Sequence, residues 1–102
     1  MKTYYELETA VIAWASARQI IRHSNPAAQA TKTLEEVREL IDAIDQENRA
    51  EMIDAYGDIL VTLIIGSKIA GFDLTDCLGH AYDCIKDRTG YLNADGVFVK
   101  DK

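Results

Sequence analysis

The sequence predicts an all-α protein of one domain, residues 1–102, and three observations support this. The chain has 102 residues, which is the length of one domain. It contains a single proline. Its apolar residues recur at spacings of three and four over long stretches, which is the periodicity of amphipathic helices.

Four helices and a short extended tail are predicted in order. The helices cover residues 4–23, 26–45, 51–70 and 74–88, and the tail carries a turn at 93–96 and an extended piece at 97–99. Pro26 follows the capping residues of the second helix and suits its first position. Gly71 is placed to end the third helix. Asp73 is predicted to cap the fourth helix, and Gly90 to end it.

The third helix is apolar on almost every side between residues 59 and 65, where only Thr62 interrupts it. A helix of this kind must be covered all round. Three companion helices of this size would cover it poorly, whereas a second copy of the chain would cover it well. We therefore expect a homodimer or a higher oligomer.

Composition and charge exclude several classes of function. The net charge is −6, which argues against a protein that binds a nucleic acid polymer. No apolar run reaches the length of a membrane span, and the first residues lack the apolar core of a signal peptide. Cys77 and Cys84 do not make a disulfide framework, so we expect packed, reduced thiols in a cytoplasmic protein.

The acidic residues are concentrated in one segment. Nine of the seventeen lie within residues 35–58, which hold only two basic residues, Arg38 and Arg49. The nine are Glu35, Glu36, Glu39, Asp42, Asp45, Glu47, Glu51, Asp54 and Asp58. This creates a local negative field that attracts a cation.

Two groups of carboxylates within this segment stand at helical spacings. Glu36 and Glu39 lie roughly 60° apart on one flank, next to Glu35, and such like charges repel unless a cation sits between them. A solvated acidic face is the alternative. Asp54 and Asp58 stack one turn apart, and Asp58 precedes the apolar stretch, where a charge needs a metal ion or a salt-bridge partner.

Carboxylates of this kind predict the metal. Hard oxygen donors suit Mg²⁺, with Mn²⁺ as an alternative, and they do not suit Zn²⁺. His23 and His80 are isolated from the cysteines in ligand-like spacing, so surface or packing roles are expected for both. No glycine-rich phosphate loop is present, so a phosphate site would need the metal and basic side chains such as Lys32, Lys86 and Arg88.

The order of these motifs resembles the MazG-like branch of the all-α nucleotide pyrophosphohydrolases. The resemblance rests on the Glu35–Glu39 motif and on Asp54-Ala-Tyr-Gly-Asp58 followed by Ile-Leu-Val. Flanking segments at 12–18, 85–90 and 96–100 extend it over nearly the whole chain. It is strongest for small, single-domain members carried by phages and prophages.

The family motif is Glu-x-x-Glu, a spacer, then Glu-x-x-Asp. Glu36, Glu39 and Asp58 match its first, second and fourth carboxylates. The third would fall at Ala55, and Asp54 is the nearest substitute. The resemblance thus implies a metal site made of these four acidic residues.

The resemblance further implies Mg²⁺-dependent hydrolysis of a ribo- or deoxynucleoside triphosphate to the monophosphate and pyrophosphate. Glu35 or Glu36 would take the proton of the attacking water. Lys32, Lys86 and Arg88 are candidates for binding the phosphates. Trp14 is a candidate for stacking on the base, with core packing as the alternative.

The resemblance also implies that the helices pair with those of a second subunit in a four-helix-type core, as a homodimer or homotetramer. Two departures from the family pattern, Ala55 and Arg38 in place of a common glycine, motivate an alternative function. The alternative is an inactive helical oligomerisation or regulatory module that binds nucleotide or metal. The preferred base and sugar are left open by the sequence.

Overall fold

The computed structural model of the chain describes residues 1–101 and confirms an all-α fold. Its helices are α1 (Tyr4–Ala17), α2 (Ile20–His23), α3 (Pro26–Asp45), α4 (Arg49–Ile69) and α5 (Leu74–Ile85). Strands β1 (Gly90–Leu92) and β2 (Phe98–Lys100) form a two-stranded antiparallel sheet. The antiparallel pair of α3 and α4 is the centre of the molecule, and α1 packs against α4.

The first predicted helix is broken into two. Gln19 has a left-handed backbone with φ of 65°, which interrupts the helix between α1 and α2. The last turn before the break has a hydrogen bond between residues three apart, in which the Gln19 amide donates to the Ser16 carbonyl at 3.0 Å. The Arg18 side chain donates to the Trp14 carbonyl at 3.1 Å, which satisfies one of the last carbonyl groups of α1.

Asparagine caps set the starts of the two long helices, whose bounds agree with prediction to within two residues. The Asn25 side chain accepts from the Ala28 amide at 2.8 Å, and the Asn48 side chain accepts from the Glu51 amide at 3.1 Å. A hydroxyl pair, Thr33 and Thr62, joins α3 to α4 at 2.7 Å. This contact fixes the register of the two helices.

The core of one chain is small. Its buried apolar residues are Ala15, Ala43, Ala55, Ile64 and Ile65. Within the stretch 59–65, which was predicted to be covered on every side, Ile64 and Ile65 are buried in the single chain. Leu60 is 44% exposed and lies on the uncovered side of α4.

The first turn of α5 is capped by an unexpected residue. Glu8 of α1 is 4% exposed, and its carboxylate accepts from the Leu74 amide at 3.1 Å and from the Thr75 hydroxyl. Asp73, the predicted cap, makes no side-chain capping bond and instead pairs with Lys68 at 3.4 Å. The Glu8 carboxylate, 66 residues from Leu74 in sequence, thus joins the start of α5 to α1.

Helix α5 ends at Ile85 rather than near residue 88, and Gly90 begins β1 rather than ending the helix. A Cβ atom at Gly90 would collide with the Val99 carbonyl and the Phe98 ring, so glycine is needed for the strands to approach. The predicted turn is confirmed: the Asn93 side chain accepts from the amides of residues 95 and 97, both at 3.0 Å.

Helices α4 and α5 meet at a sharp angle of 100°. No single helix within residues 1–101 combines the length and apolar character of a membrane span. The bent pair of α4 and α5 reaches those limits only when its two helices are added together.

Both cysteines are exposed, so the prediction that they pack is wrong for the single chain. Cys84 lies one helical turn from His80, and the Cys84 Sγ and His80 Nε2 atoms are 3.8 Å apart. The expectation that His80 is isolated from the cysteines is therefore also wrong. Its expected surface position is confirmed.

We expect Glu8→Ala to loosen α5 selectively, because it leaves the Leu74 amide without its partner at a cost of about 1–3 kcal/mol. Amide hydrogen exchange in residues 74–85 should accelerate while α3 and α4 stay protected. Asp73→Ala is the matched control, since Asp73 makes no capping bond. Equal acceleration in both variants would show that Glu8 is not the cap.

Candidate active site

An acidic cleft lies between α3 and α4, beside the loop that joins them. Its volume is about 470 Å³. It is lined by Glu39, Asp42 and Gln46 of α3 and by Glu51, Asp54, Ala55 and Asp58 of α4. Five of these seven side chains are carboxylates, and none is basic. The cleft can therefore attract a cation strongly.

The register of the two helices brings the acidic motifs together. Glu36 follows Thr33 by three residues, and Asp58 precedes Thr62 by four. Because α3 and α4 run antiparallel and the two threonines touch, Glu36 and Asp58 face each other at one level. The charge of Glu36 accordingly acts on Asp58.

Glu36 is the most unusual carboxylate at the site. It is 6% exposed, and its Oε1 atom lies 3.5 Å from the Lys32 ammonium. Its Oε2 atom is buried without any hydrogen-bond partner in the described chain. Such an atom is costly unless a ligand compensates it.

The pKa values of Asp58 and Lys32 are shifted by the neighbouring carboxylates. Desolvation, followed by the charges of Glu36 and Asp54, raises the pKa of the Asp58 carboxyl above its usual value, and Lys32 opposes this. Hydrogen bonding to Glu35, followed by its charge, is the main cause that raises the pKa of Lys32. Asp58 forms no ion pair among residues 1–101, so the predicted salt-bridge alternative finds no partner there.

The four predicted metal ligands lie on α3 and α4, in or beside the cleft. Glu39, Asp54 and Asp58 line the cleft, and Glu36 stands beside Asp58. Glu35 lies outside it, largely exposed, with its carboxylate 3.2 Å from the Lys32 ammonium.

The other predicted substrate-binding residues are not at the cleft. Trp14 is 46% exposed and so is not fully packed in the core, and the Arg18 guanidinium covers one face of its ring at 4.5 Å from the centroid. Lys86 follows α5 and pairs with Asp83 at 3.4 Å. Arg88 lies two residues further, and neither residue lines the cleft.

Three lining residues, Asp42, Gln46 and Glu51, were not predicted as site residues. Asp42 follows Glu39 by three residues, and Glu51 precedes Asp54 by three. The helical spacing of these acids was the signal that could have found them.

The carboxylate oxygens at the cleft suit a hard divalent cation, but they are too far apart to surround one. In the described part of the chain, no three His, Cys, Asp or Glu side chains stand close enough to hold a metal ion together. The unpartnered Oε2 of Glu36 and the five lining carboxylates are nevertheless the oxygen donors that Mg²⁺ prefers. A cation that keeps several waters suits such an open cleft.

Comparison with known proteins agrees with the geometry. The sequence model of the MazG nucleotide pyrophosphohydrolase domain matches residues 24–92, which contain α3, α4, α5 and β1 and therefore every residue of the acidic cleft. No curated protein and no solved structure matches significantly. Since the family match spans more than half of the chain, this protein belongs to the MazG nucleotide pyrophosphohydrolase family.

Proposed function

We propose that the protein hydrolyses ribo- or deoxynucleoside triphosphates to the monophosphate and pyrophosphate in the presence of Mg²⁺, with Mn²⁺ as a substitute. The observation that carries this proposal is the buried, unpartnered Oε2 atom of Glu36 beside an acidic cleft. Membership of a nucleotide pyrophosphohydrolase family supports the substrate class.

Glu36, Glu39, Asp54 and Asp58 are the residues that would hold the metal. When bound, Mg²⁺ neutralises charge on the phosphates and lowers the pKa of a coordinated water. Without it, the cleft carboxylates repel one another and the anionic substrate. These residues therefore make substrate binding depend on the cation.

Glu35 is better suited than Glu36 to accept the proton of the attacking water, because the unpartnered Oε2 atom of Glu36 is assigned to the metal ion. The Glu35 carboxylate lies 3.2 Å from the Lys32 ammonium. Lys32 lies beside both and is the basic residue whose charge acts on Asp58. We assign Lys32 to orienting the carboxylates and attracting the outer phosphates.

Self-association, as a homodimer or homotetramer, is part of the proposal. The chain exposes 7820 Å², whereas a compact protein of 11.4 kDa exposes about 5,800 Å². The excess of about 2,000 Å² is larger than the roughly 800 Å² that each partner buries in a standard protein–protein interface. The radius of gyration, 15.9 Å, is likewise above the ~13 Å of a compact chain.

Exposed apolar stripes on both long helices support a four-helix core shared by two chains. On α4 the exposed residues are Ile53, Tyr56, Leu60 and Leu63, and on α3 they are Leu34, Ile41 and Ile44. Each set follows helical spacing and lies on one face. A second copy would cover both stripes.

One observation favours a second candidate function, a nucleotide- or metal-binding module without turnover. Ala55 is 4% exposed, lines the cleft and stands where the family motif has its third carboxylate. A methyl group cannot bind a metal ion, so the cleft has one family ligand fewer unless Asp54 replaces it.

We expect Ala55→Glu to tighten Mg²⁺ binding, because it restores a carboxylate at a lining position. Ala55→Gln is the matched control, with the same size and no charge. Titration calorimetry with Mg²⁺ compares them. Equal affinity in the two variants would show that position 55 does not face the metal.

The proposal is tested by incubating the pure protein with Mg²⁺ and a panel of ribo- and deoxynucleoside triphosphates while pyrophosphate is assayed. Release well above that of Glu36→Gln supports the enzyme. Mg²⁺-dependent nucleotide binding without release supports the inactive module.

A further inference from the structure

Helix α5 carries a histidine and a cysteine at the spacing of two metal ligands. His80 and Cys84 are four residues apart, so their side chains lie one above the other on the same face of the helix. The Cys84 Sγ and His80 Nε2 atoms are 3.8 Å apart. Both residues are exposed, and neither lines the acidic cleft between α3 and α4.

The distance between these two atoms is close to the one that a shared zinc ion requires. Zn²⁺ bonds to a cysteine sulfur at about 2.3 Å and to a histidine nitrogen at about 2.0–2.1 Å. At a tetrahedral angle, these bond lengths hold the two ligand atoms about 3.6 Å apart. The observed separation of 3.8 Å therefore needs only a small side-chain adjustment to become a chelate.

The face of α5 around this pair is acidic. Asp76 precedes His80 by four residues and Asp83 follows it by three, so both carboxylates lie beside the histidine on the helix surface. Asp76 and His80 line the same surface recess, next to Phe72. Negative charge of this kind raises the local concentration of cations.

The apolar residues of α5 lie on the other side of the helix. Leu78, Tyr82 and Ile85 are exposed, and helical spacing places them roughly 140–200° away from His80. A second copy that packs on this apolar side leaves His80 and Cys84 open to solvent. The pair is therefore accessible both in the single chain and in an assembly of that kind.

The two donor atoms select the class of ion. Thiolate and imidazole ligands suit Zn²⁺, whereas Mg²⁺ takes oxygen ligands. Among residues 1–101, no third His, Cys, Asp or Glu side chain stands close enough to complete a metal-binding group. Water would fill the remaining positions, so the ion exchanges more readily than one held by the four ligands of a structural zinc site.

We propose that His80 and Cys84 form an exchangeable site for a zinc-class divalent cation on the C-terminal half of α5. On binding, the Cys84 thiol gives its proton to solvent and its sulfur bonds to the ion, while His80 contributes a nitrogen lone pair. The ion bridges one turn of a helix in which every residue except Leu74 is exposed, and it thereby stabilises that helix. This site does not depend on the proposed hydrolysis.

Titration with Co²⁺ under reducing conditions tests the site. Co²⁺ replaces Zn²⁺, and a bound cysteine sulfur gives it a charge-transfer absorption in the near ultraviolet. Excess Mg²⁺ is present to occupy the acidic cleft, whose lining contains no sulfur ligand. The absorption should appear in the wild type, saturate at about one ion per chain, and disappear when Zn²⁺ is added.

Three variants identify the ligands. Cys84→Ser should lose the absorption, and His80→Ala should weaken Co²⁺ binding by at least the roughly 10–100-fold that loss of an outer-shell partner costs. Cys77→Ser is the matched control, because Cys77 lies seven residues before Cys84, about 10 Å along the helix axis, and cannot share its ion. It should bind Co²⁺ as the wild type does.

Two outcomes of the titration would overturn the proposal. No absorption in the wild type would show that Cys84 and His80 form a hydrogen bond only, and its loss in Cys77→Ser would place the sulfur ligand elsewhere. Amide hydrogen exchange tests the stabilising role: Zn²⁺ should slow exchange in residues 80–85 of the wild type but not of His80→Ala. Equal exchange with and without Zn²⁺ in the wild type would contradict that role.

Discussion

Asp58→Asn is expected to abolish most pyrophosphate release and to weaken Mg²⁺ binding, while the metal-free fold stays as stable as before or becomes slightly more stable. Asparagine keeps the shape of the side chain and removes one charge from a crowded cluster. The charges of Glu36 and Asp54 act unfavourably on Asp58 in the absence of a cation. The variant therefore loses a metal ligand, and it also loses the electrostatic repulsion between Asp58 and its acidic neighbours.

The pH dependence of stability has a defined sign. The pKa of Asp58 is raised by desolvation and by its acidic neighbours, so the folded chain holds this proton at a higher pH than the unfolded chain does. Metal-free stability should fall as the pH rises from the usual carboxyl pKa through the raised one. Asp58→Asn should flatten this slope, and Mg²⁺ should offset it in the wild type.

Turnover and thermal melting of the same samples, with and without Mg²⁺, measure these effects. Asp45→Asn is the matched control, because Asp45 lies on α3 outside the lining of the cleft. It should retain activity. A variant at Asp58 that melts much earlier without metal yet turns over normally would contradict the ligand role and favour a structural one.

Leu60→Asp is expected to convert the proposed assembly into monomers. Leu60 lies in the exposed stripe of α4, so the change leaves the core of the single chain intact. In a dimer it would place an unpaired charge in a dry interface, which we expect to weaken association by roughly a hundredfold or more.

Light scattering and circular dichroism on the same sample separate dissociation from unfolding. Ser16→Asp adds the same charge at an exposed polar position on α1 and should leave the mass unchanged. Ile64 is unsuitable for this purpose, because it is already buried within the single chain. An assembly of unchanged mass in the Leu60 variant would show that this stripe is not the interface.

Much of the helical framework could be predicted because its signals are local. Asn25 and Pro26 start α3 by capping and by a fixed backbone angle, and these preferences depend only on neighbouring residues. The break at Gln19 has no comparable signal, since glutamine does not favour a left-handed backbone. The Glu8 cap of α5 joins residues distant in sequence, which periodicity does not reveal.

The acidic residues of the candidate site could be predicted from the sequence, but the positions of its proposed basic residues could not. Helical spacing and the order of the motifs indicated Glu39, Asp54 and Asp58, which do line the cleft. The positions of Lys86 and Arg88 depend on the 100° angle between α4 and α5, and a sequence pattern does not encode that angle. Basic residues that look suitable in sequence are therefore remote from the carboxylates of their own chain.

The central claim, cleavage between the α- and β-phosphates, is tested most directly by ³¹P NMR of one reaction. The purified protein is incubated with the triphosphate it binds best, first with excess chelator and then with Mg²⁺. The proposed chemistry predicts no change with chelator, and nucleoside monophosphate and pyrophosphate in equal amounts once Mg²⁺ is added. Nucleoside diphosphate and inorganic phosphate, or an unchanged triphosphate with Mg²⁺ bound, would contradict it.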